Sequence, residues 1–383
     1  MLDLVIVGGG PAGISTALHV HAAAPGARIA VLEKARYPRD KICAGGIGAR
    51  AFRLLEKIGV EVACPHVAIE AIAMRVAGET VVVREPGCAA VVRRIEFDHA
   101  FAQVAMARGI AVREGCEVTG ITVDDTGVTL TVAGDEPVRA RAVVGADGVA
   151  GVVRRLAGFP RGELRAQVVE LDTEDTSHDL PRDTIVFDFD TRELRGYAWD
   201  FPTQVAGKPL VCRGAYLLDT GGVKQWLARY LTARGLDPAR YQHKQFAERG
   251  FEPGAAIARP RVLLVGEAAG IDIATGEGIG QAIEYGAVAG PYLASALAEN
   301  ALDFADWTRT VARHHLGWQL AIRHAGFKSF YGHRRPKIER MLPRMDQLMR
   351  VCVQDFAGVP LSKLALLRGV GQFAAAYARA KHG

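Results

Sequence analysis

Three glycines near the start of the chain, Gly8, Gly10 and Gly13 in VGGGPAG, have the spacing G-x-G-x-x-G. They follow a short apolar run, LDLVIV, and open a stretch of helical period, ISTALHVHAA. In that setting the first glycine permits a tight turn and the second lets a pyrophosphate approach the backbone. The third lets helix and strand touch. Pro11 and Ala12 complete the turn, and the helix N-terminus behind it favours anions. Glu33 lies twenty residues past Gly13, at the end of a second β-branched run, RIAVLE, where an acid accepts hydrogen bonds from a ribose diol; Lys34 follows it. Strand, glycines, helix, strand and acid together predict a dinucleotide site rather than a bare glycine-rich turn.

Two later segments repeat the theme. RAVVGADGVAGVVRR at 141–155 reads as strand, then Asp147 and Gly148 in a turn, then helix. LLVGEAAGIDIATGEGIGQAIEYG at 263–286 reads as strand, a small-residue turn with Gly266 and Glu267, and a second glycine-rich entry into a helix at Gly276, Glu277, Gly278 and Ile279. That helix start aims N–H groups at whatever lies before it, which suits negative charge. Further candidates for chemistry are Lys41 and Cys43 in the loop after the second strand, and the alternating stripe Tyr197, Trp199 and Phe201 in GYAWDFP. Alternation puts those three rings on one face of a strand. They form either a packing stripe or an aromatic wall for a flat or greasy substrate. On its own residues Cys43 reads as a small buried side chain and Lys41 as a solvated loop lysine.

The elements that must hold these residues are those of an α/β protein with β-rich insertions. We expect a Rossmann-like dinucleotide domain built from residues 1–66, 94–163 and 256–300. An antiparallel substrate domain takes 67–93 and 164–255, and a helical C-terminal region takes 301–383.

The paired motifs resemble the glutathione-reductase-type FAD fold, in the branch that holds aromatic hydroxylases, flavin halogenases and geranylgeranyl reductases. The resemblance covers about the first 300 residues and implies FAD as cofactor. It also implies an arginine ahead of the helix after the inserted hairpin. Arg94 in RRIEFD fits that R-x-x-F-D pattern, with Arg93 as the competing register. Glu267 stands where the family has Asp, one methylene shorter. The loop EKARYPRDKICAGG is similar to the E-x-x-x-x-P-x-x-K-x-C-G-G-G segment of geranylgeranyl reductases, with Ala44 in place of the first glycine. That resemblance implies instead that Cys43 and Lys41 lie beside the reacting centre. GYAWDFP resembles their Y-x-W-x-F-P strand, and TGEGI at 275–279 matches as well. The W-x-W-x-I-P signature of halogenases is not found.

Three activities follow from this resemblance. The first is reduction of carbon–carbon double bonds of an isoprenoid or related lipid by hydride transfer from reduced FAD, with a nearby acid supplying the second hydrogen. The second is hydroxylation of an aromatic group, free or held on a protein or carrier, through a flavin C4a-hydroperoxide. Asp200, an acid within the aromatic strand, speaks for the second. The third is electron relay without an organic substrate. With no second complete G-x-G-x-x-G, the electron donor is a transient NAD(P)H or a reduced carrier protein.

Composition sets the outer bounds. The 383 residues are 49% hydrophobic and 23% charged, which excludes disordered and fibrous classes, and the 43 glycines point to many tight turns and close approaches. A balance of 47 basic to 42 acidic side chains carries no nucleic-acid footprint. Six cysteines without a CxxC pair suggest reduced thiols in a cytosol, and no metal site is expected. The uncharged run 4–27 lacks a basic n-region and contains GGGPAG, so it reads as neither a leader nor a span, and we expect a cytoplasmic protein. The charge is uneven: residues 313–383 carry +10 and the remaining 312 carry −5. In this tail Ile338, Met341, Leu342, Met345, Leu348, Met349 and Cys352 recur at helical spacing, Arg340, Arg344 and Arg350 are interleaved, and Pro343 is expected to kink or split the helix. The seam either closes over the core or docks on an anionic membrane surface or an acidic protein. His314 and His315, adjacent on a helix, are expected to face different ways.

Overall fold

In the computed structural model, which describes all residues except 164, 192–193, 219–221, 361–362 and 380–383, the apolar run Leu2–Val7 forms β1 at the heart of a sheet. Helix α1 (Pro11–Ala23) crosses over to β2 (Ile29–Glu33), which returns parallel with Leu4 opposite Ile29. The chain then leaves this layer through β3 (Gly46–Gly48), α2 (Ala49–Glu56), β4 (His66–Val76) and β5 (Glu79–Val92). Helix α3 (Arg94–Ala107) brings it back to β6 (Ala111–Glu114), parallel to β2. The ribbon β7 (Val118–Asp124) and β8 (Gly127–Val132) leads into β9 (Val138–Gly145), which lies parallel to β1 on its other side and is followed by α4 (Val152–Leu156). Central strands of such a sheet are covered on both faces, which is why β1 and β2 read as continuous apolar runs.

The second layer is β10 (Arg165–Thr173), β11 (Thr184–Asp188), β12 (Gly196–Val205) and β13 (Lys208–Leu217), with α5 (Val223–Thr232) and β14 (Lys244–Arg249) after them. Together with β3, β4 and β5 these strands form an eight-stranded sheet in the order β14-β10-β13-β12-β11-β4-β5-β3. The small strand β3 lies in a segment expected with the first layer, but it pairs with β5, Ile47 opposite Ala90, and so belongs to the second. The chain rejoins the first sheet through β15 (Ala258–Arg259) and β16 (Val262–Leu264), the latter parallel to β9. Helix α6 (Ile279–Glu299) then packs along α1. The contact is close because Gly286 and Gly290 lie against Ser15 and His19, where a Cβ would collide with the α1 backbone. Ser15 Oγ seals it by donating to the Ile283 carbonyl at 2.8 Å.

The tail holds α7 (Trp307–Arg313), α8 (His315–Phe330), α9 (Arg335–Met341), α10 (Asp346–Ala357) and α11 (Lys363–Arg379). A 3-10 turn over Leu342–Arg344 separates α9 from α10 at Pro343. Ile338, Met341 and Met345 are buried, Leu342, Leu348 and Met349 half-buried, and Cys352 is exposed. Phe327 and Tyr331 join the core cluster of the second sheet, and so does Val353. Arg50 of α2 binds Asp355 of α10 at 2.5 Å. The tail therefore closes over the second sheet. His314 ends α7 and caps α8, and this break turns both histidines toward one acid: His314 Nδ1 and His315 Nδ1 lie 3.8 and 3.2 Å from Glu284 Oε1. Among the described residues there is no group of His, Cys, Asp or Glu arranged to hold a metal ion, and no helix is long and apolar enough to cross a membrane.

Candidate functional site

A cavity of about 430 Å³ lies between the two sheets, against the first and under the edge of the second. Its floor is the first βα turn. Gly8 has φ +107°, and a Cβ there would strike the Ala146 carbonyl; Gly13 sits against the Gly8 carbonyl, so it packs the turn rather than lining the cavity. Gly10 is different: the nearest atom to a Cβ would be Arg39 Nη2 at 3.8 Å, so its missing side chain leaves room on the cavity side. Gly8, Gly10, Pro11 and Ala12 line the space, and Pro11 starts α1 with no side-chain cap, leaving its first N–H groups for an anion.

Glu33 and Lys34 line the same end. Glu33 is buried and already engaged: Oε2 accepts from the Gly9 N–H at 2.8 Å and from Arg39 at 3.2 Å, and Oε1 from the Ala35 N–H at 3.0 Å. Arg39 extends the network to Asp98 at 3.0 Å, and Asp98 also accepts two bonds from Arg94, both at 2.7 Å. Arg94 therefore lines the cavity with its charge balanced, while Arg93 turns away to Asp172 at 2.9 Å. Sequence reading missed Arg39, although its loop is basic.

At the other end Asp147 and Gly148 meet Glu267, Gly276, Gly278 and Ile279. Asp147 Oδ2 accepts from the Val153 N–H at 2.9 Å, whereas Oδ1 is buried without a partner; burial pushes this carboxyl up. Glu267 has the same asymmetry, with Oε2 at 3.6 Å from Lys41 Nζ and Oε1 buried and unpartnered. Buried polar atoms are normally hydrogen-bonded, so unpaired oxygens on two cavity-lining carboxylates fit a ligand with hydroxyl donors. Two helix N-termini, of α1 and α6, border the same cavity, and a ligand with a pyrophosphate and a polyol chain matches this donor and acceptor set. Gly276 has φ +68° and faces the rings of Tyr216 and Tyr197, so a side chain there would be both strained and blocked. Gly266 packs against Ala12, and Glu277 turns out of the cavity to Arg323 at 2.5 Å. Arg323 of α8 also holds Asp272 at 2.9 Å, and Asp272 caps the turn through the N–H of Ala274 at 2.7 Å and that of Thr275 at 3.2 Å.

The second sheet supplies the roof. Lys41 and Cys43 line the cavity, with Lys41 Nζ 4.7 Å above the Phe246 ring. The Cys43 N–H donates to Glu170 Oε1 at 3.0 Å, and burial pushes the thiol up although Arg94 opposes it, so it is a neutral thiol. Tyr197, Trp199 and Phe201 share one face as the alternation requires and are buried, but they back the cavity rather than line it. Tyr197 stacks on Tyr216 at 5.3 Å and donates to the Thr275 carbonyl, while Tyr216 donates to the Ile273 carbonyl at 3.2 Å. The two tyrosines thus fasten the Gly276 turn to the second sheet. Trp199 lies over Gly214, where a Cβ would strike its ring. Asp200, expected beside the substrate, is on the opposite face of β12. Its Oδ1 accepts from Arg213 at 2.8 Å, and Oδ2 accepts from Tyr230 at 2.9 Å, Arg234 at 3.2 Å and Arg75 at 3.3 Å. Period two puts it there, because a residue between Trp199 and Phe201 must point away from them. Two acids that the sequence reading passed over, Glu170 and Glu248, lie instead on the cavity side of the sheet.

A parallel sheet with a G-x-G-x-x-G turn, a second glycine turn and an antiparallel substrate sheet define an FAD-binding fold, and residues 1–189 match the FAD binding domain family. The chain is 27% identical to digeranylgeranylglycerophospholipid reductase 1 of Methanococcoides burtonii over 78% of this chain and 76% of that one. Two solved structures share the fold. One is a geranylgeranyl bacteriochlorophyll reductase-like protein of Thermoplasma acidophilum (TM-score 0.72, 19% identity, 100% of this chain and 98% of that one). The other is p-nitrophenol 4-monooxygenase of Pseudomonas putida (TM-score 0.72, 20% identity, 94% and 98%). The chain is an FAD-dependent oxidoreductase, similar within that class to the reductase of Methanococcoides burtonii and sharing its fold with both reductase-like and monooxygenase structures.

Proposed function

We propose that the protein reduces carbon–carbon double bonds of an isoprenoid or related unsaturated lipid. The observation that carries this reading is the position of Asp200. The acid that argued for a polar, aromatic-hydroxylating cavity is locked among Arg75, Arg213 and Arg234 on the far face of β12. The near face is left to Cys43, Phe246 and the buried rings of Tyr197, Trp199 and Phe201. FAD, when bound, supplies the two-electron redox chemistry. The chain's own part is to hold and shield. Gly8, Gly10, Glu33, Lys34 and Arg94 would take the dinucleotide end, and Asp147 and Glu267 the hydroxyls between. The Gly276–Gly278 turn would take the ring end. Phe246 and the tail exclude water from the second sheet, and the backbone N–H of Cys43 orders its loop by donating to Glu170.

NAD(P)H or a reduced carrier protein would deliver the electrons. The exposed Arg340, Arg344 and Arg350 favour an anionic membrane surface, which is where a lipid substrate is found. The test is a product mass. FAD-loaded protein, reduced and mixed with an unsaturated prenyl lipid, is expected to yield a product heavier by two hydrogens. A product heavier by one oxygen, formed from an aromatic compound in air, would overturn the reading in favour of hydroxylation.

A further inference from the structure

The buried acids around the cavity differ in one respect. Glu170 accepts from the Cys43 N–H, Asp272 from two N–H groups and Arg323, and Asp200 from three arginines and a tyrosine. Glu248 has nothing. It sits on β14 opposite Ala166 of β10, is 9% exposed, and makes no side-chain hydrogen bond or ion pair with any described residue. Yet it lines the cavity, beside Lys41, Cys43, Glu267 and Gly276. Phe246, two residues earlier on the same face of β14, lines it too.

The charged groups that act on Glu248 are Glu267, Lys41, Asp272 and Glu170. Three of the four are acids, and the single cation, Lys41, is committed to Glu267 at 3.6 Å. Its neighbour Arg249 points elsewhere, to the carbonyls of Val149 and Arg161. An ionised carboxylate in this position would leave Oε2 buried without a donor, which is disfavoured. Burial accordingly pushes the Glu248 carboxyl well up, which favours its protonated form. A structural acid would be expected to bond to its surroundings, and this one does not. What it offers the cavity is a proton, next to the rings of Tyr197 and Tyr216, whose hydroxyls are tied to the turn ahead of Gly276.

We infer that Glu248 is a catalytic acid of this cavity, which holds a proton against the unsaturated substrate and delivers it during reduction of the double bond. The inference rests on the reductase reading for the proton's destination. In the step, one alkene carbon receives hydrogen with its electron pair from reduced FAD, which is left oxidised. The O–H bond of Glu248 breaks, and the former π pair forms a C–H bond with that proton at the other carbon. The carboxylate regains a proton from water at the cavity mouth, and the reducing equivalents come from NAD(P)H or a reduced carrier.

The test uses the FAD-loaded full chain and Glu248→Gln, which keeps shape and cannot donate. At about pH 8, where Glu170 has lost its proton, the wild-type-minus-variant infrared difference spectrum is expected to show the carbonyl band of a protonated carboxylic acid that shifts in D₂O. With an unsaturated prenyl lipid, reoxidation of the reduced protein by substrate is expected to slow by about a hundredfold or more in the variant. FAD affinity and the rate of FAD reduction are expected to stay within about threefold. No such band in the difference spectrum, or substrate reoxidation within about threefold of wild type, would each overturn the inference. A wild type that shows the band but reduces no alkene overturns the reductase reading instead, and leaves the neutral acid standing.

Discussion

Replacing Glu170 by Gln should change how the stability of the protein depends on pH. Glu170 lies on β10, 6% exposed, with Oε1 accepting from the Cys43 N–H and Oε2 3.9 Å from Cys212 Sγ. Burial pushes its carboxyl from the ordinary 4.5 up to about 7, with Asp172 adding to the rise and Arg93 and Lys244 opposing it. In the folded chain the acid therefore keeps its proton up to about pH 7, whereas in the unfolded chain it loses it near 4.5. Between those values the folded state binds more protons, so stability falls as pH rises, and the loss is complete above about 7. The interval of about 2.5 pH units corresponds to about 3 kcal/mol at 1.36 kcal/mol per unit. Glutamine has no proton to lose. It also presents an oxygen to the Cys43 N–H, so its shape and that hydrogen bond persist.

The assay is urea unfolding of wild type and Glu170→Gln at about pH 5 and about pH 8, with FAD held at one concentration because a ligand of the folded state adds its own stabilisation. Other groups titrate in this range, His315 among them, but they cancel in the difference between the two proteins. Relative to the wild type, the variant should gain about 3 kcal/mol on going from the lower to the higher pH. Parallel pH dependences would refute the argument, because they would mean that Glu170 ionises in the folded protein as it does in the unfolded one.

Two further outcomes follow from the cradle. Gly10→Val places its side chain in the room beside Arg39, so FAD affinity should fall at least about tenfold, equivalent to about 1.4 kcal/mol, while the thermal midpoint of the FAD-free protein hardly moves; a fluorescence titration and a melt measure the two, and retained FAD would contradict the assignment of the turn. Asp98→Asn removes the single carboxylate shared by Arg94 and Arg39 and leaves one buried and one half-buried guanidinium group short of charge, so the protein should lose about 3–5 kcal/mol in denaturant unfolding; a loss below about 1 kcal/mol would show that Glu33 alone balances them.

The parts of this site that were legible in the sequence are those whose geometry is set locally. Gly8 and Gly13 must lack side chains because the turn folds back on Ala146 and on Gly8 itself, and a spacing of a few residues records that requirement. The same holds for the break at Pro343 and for the shared face of Tyr197, Trp199 and Phe201. Local rules also contained more than the first reading drew from them, since the alternation that aligns the three rings sends Asp200 to the other side. What stayed hidden depends on pairing across long loops. Glu248 and Glu170 enter the cavity side of the roof only because β14 and β13 flank β10, and that register is invisible until the sheet is assembled. Arg39 is a loop residue whose meaning comes from Glu33 and Asp98, the second 59 residues away. His314 and His315 converge on Glu284 because a helix breaks between them, a break whose one local sign is Gly317, which lies against the Val311 carbonyl.

The tail shows how far charge bookkeeping by sequence alone can go. Its +10 looked like a surface property. In the folded chain that charge divides between two uses. Arg323 reaches inward to Asp272 and Glu277 behind the Gly276 turn, and Arg335 binds Glu339 and the carbonyls of Leu194 and Phe189 at the end of the second sheet. Arg340, Arg344 and Arg350 remain exposed. The inward pair fixes the helices over the aromatic face and ties them to the turn that borders the cavity, because Asp272 and Glu277 would otherwise be carboxylates without a cation in a protein interior. The outward arginines lie on the same helical layer. An anionic surface that drew this layer toward it would bring the covered aromatic face of the second sheet with it.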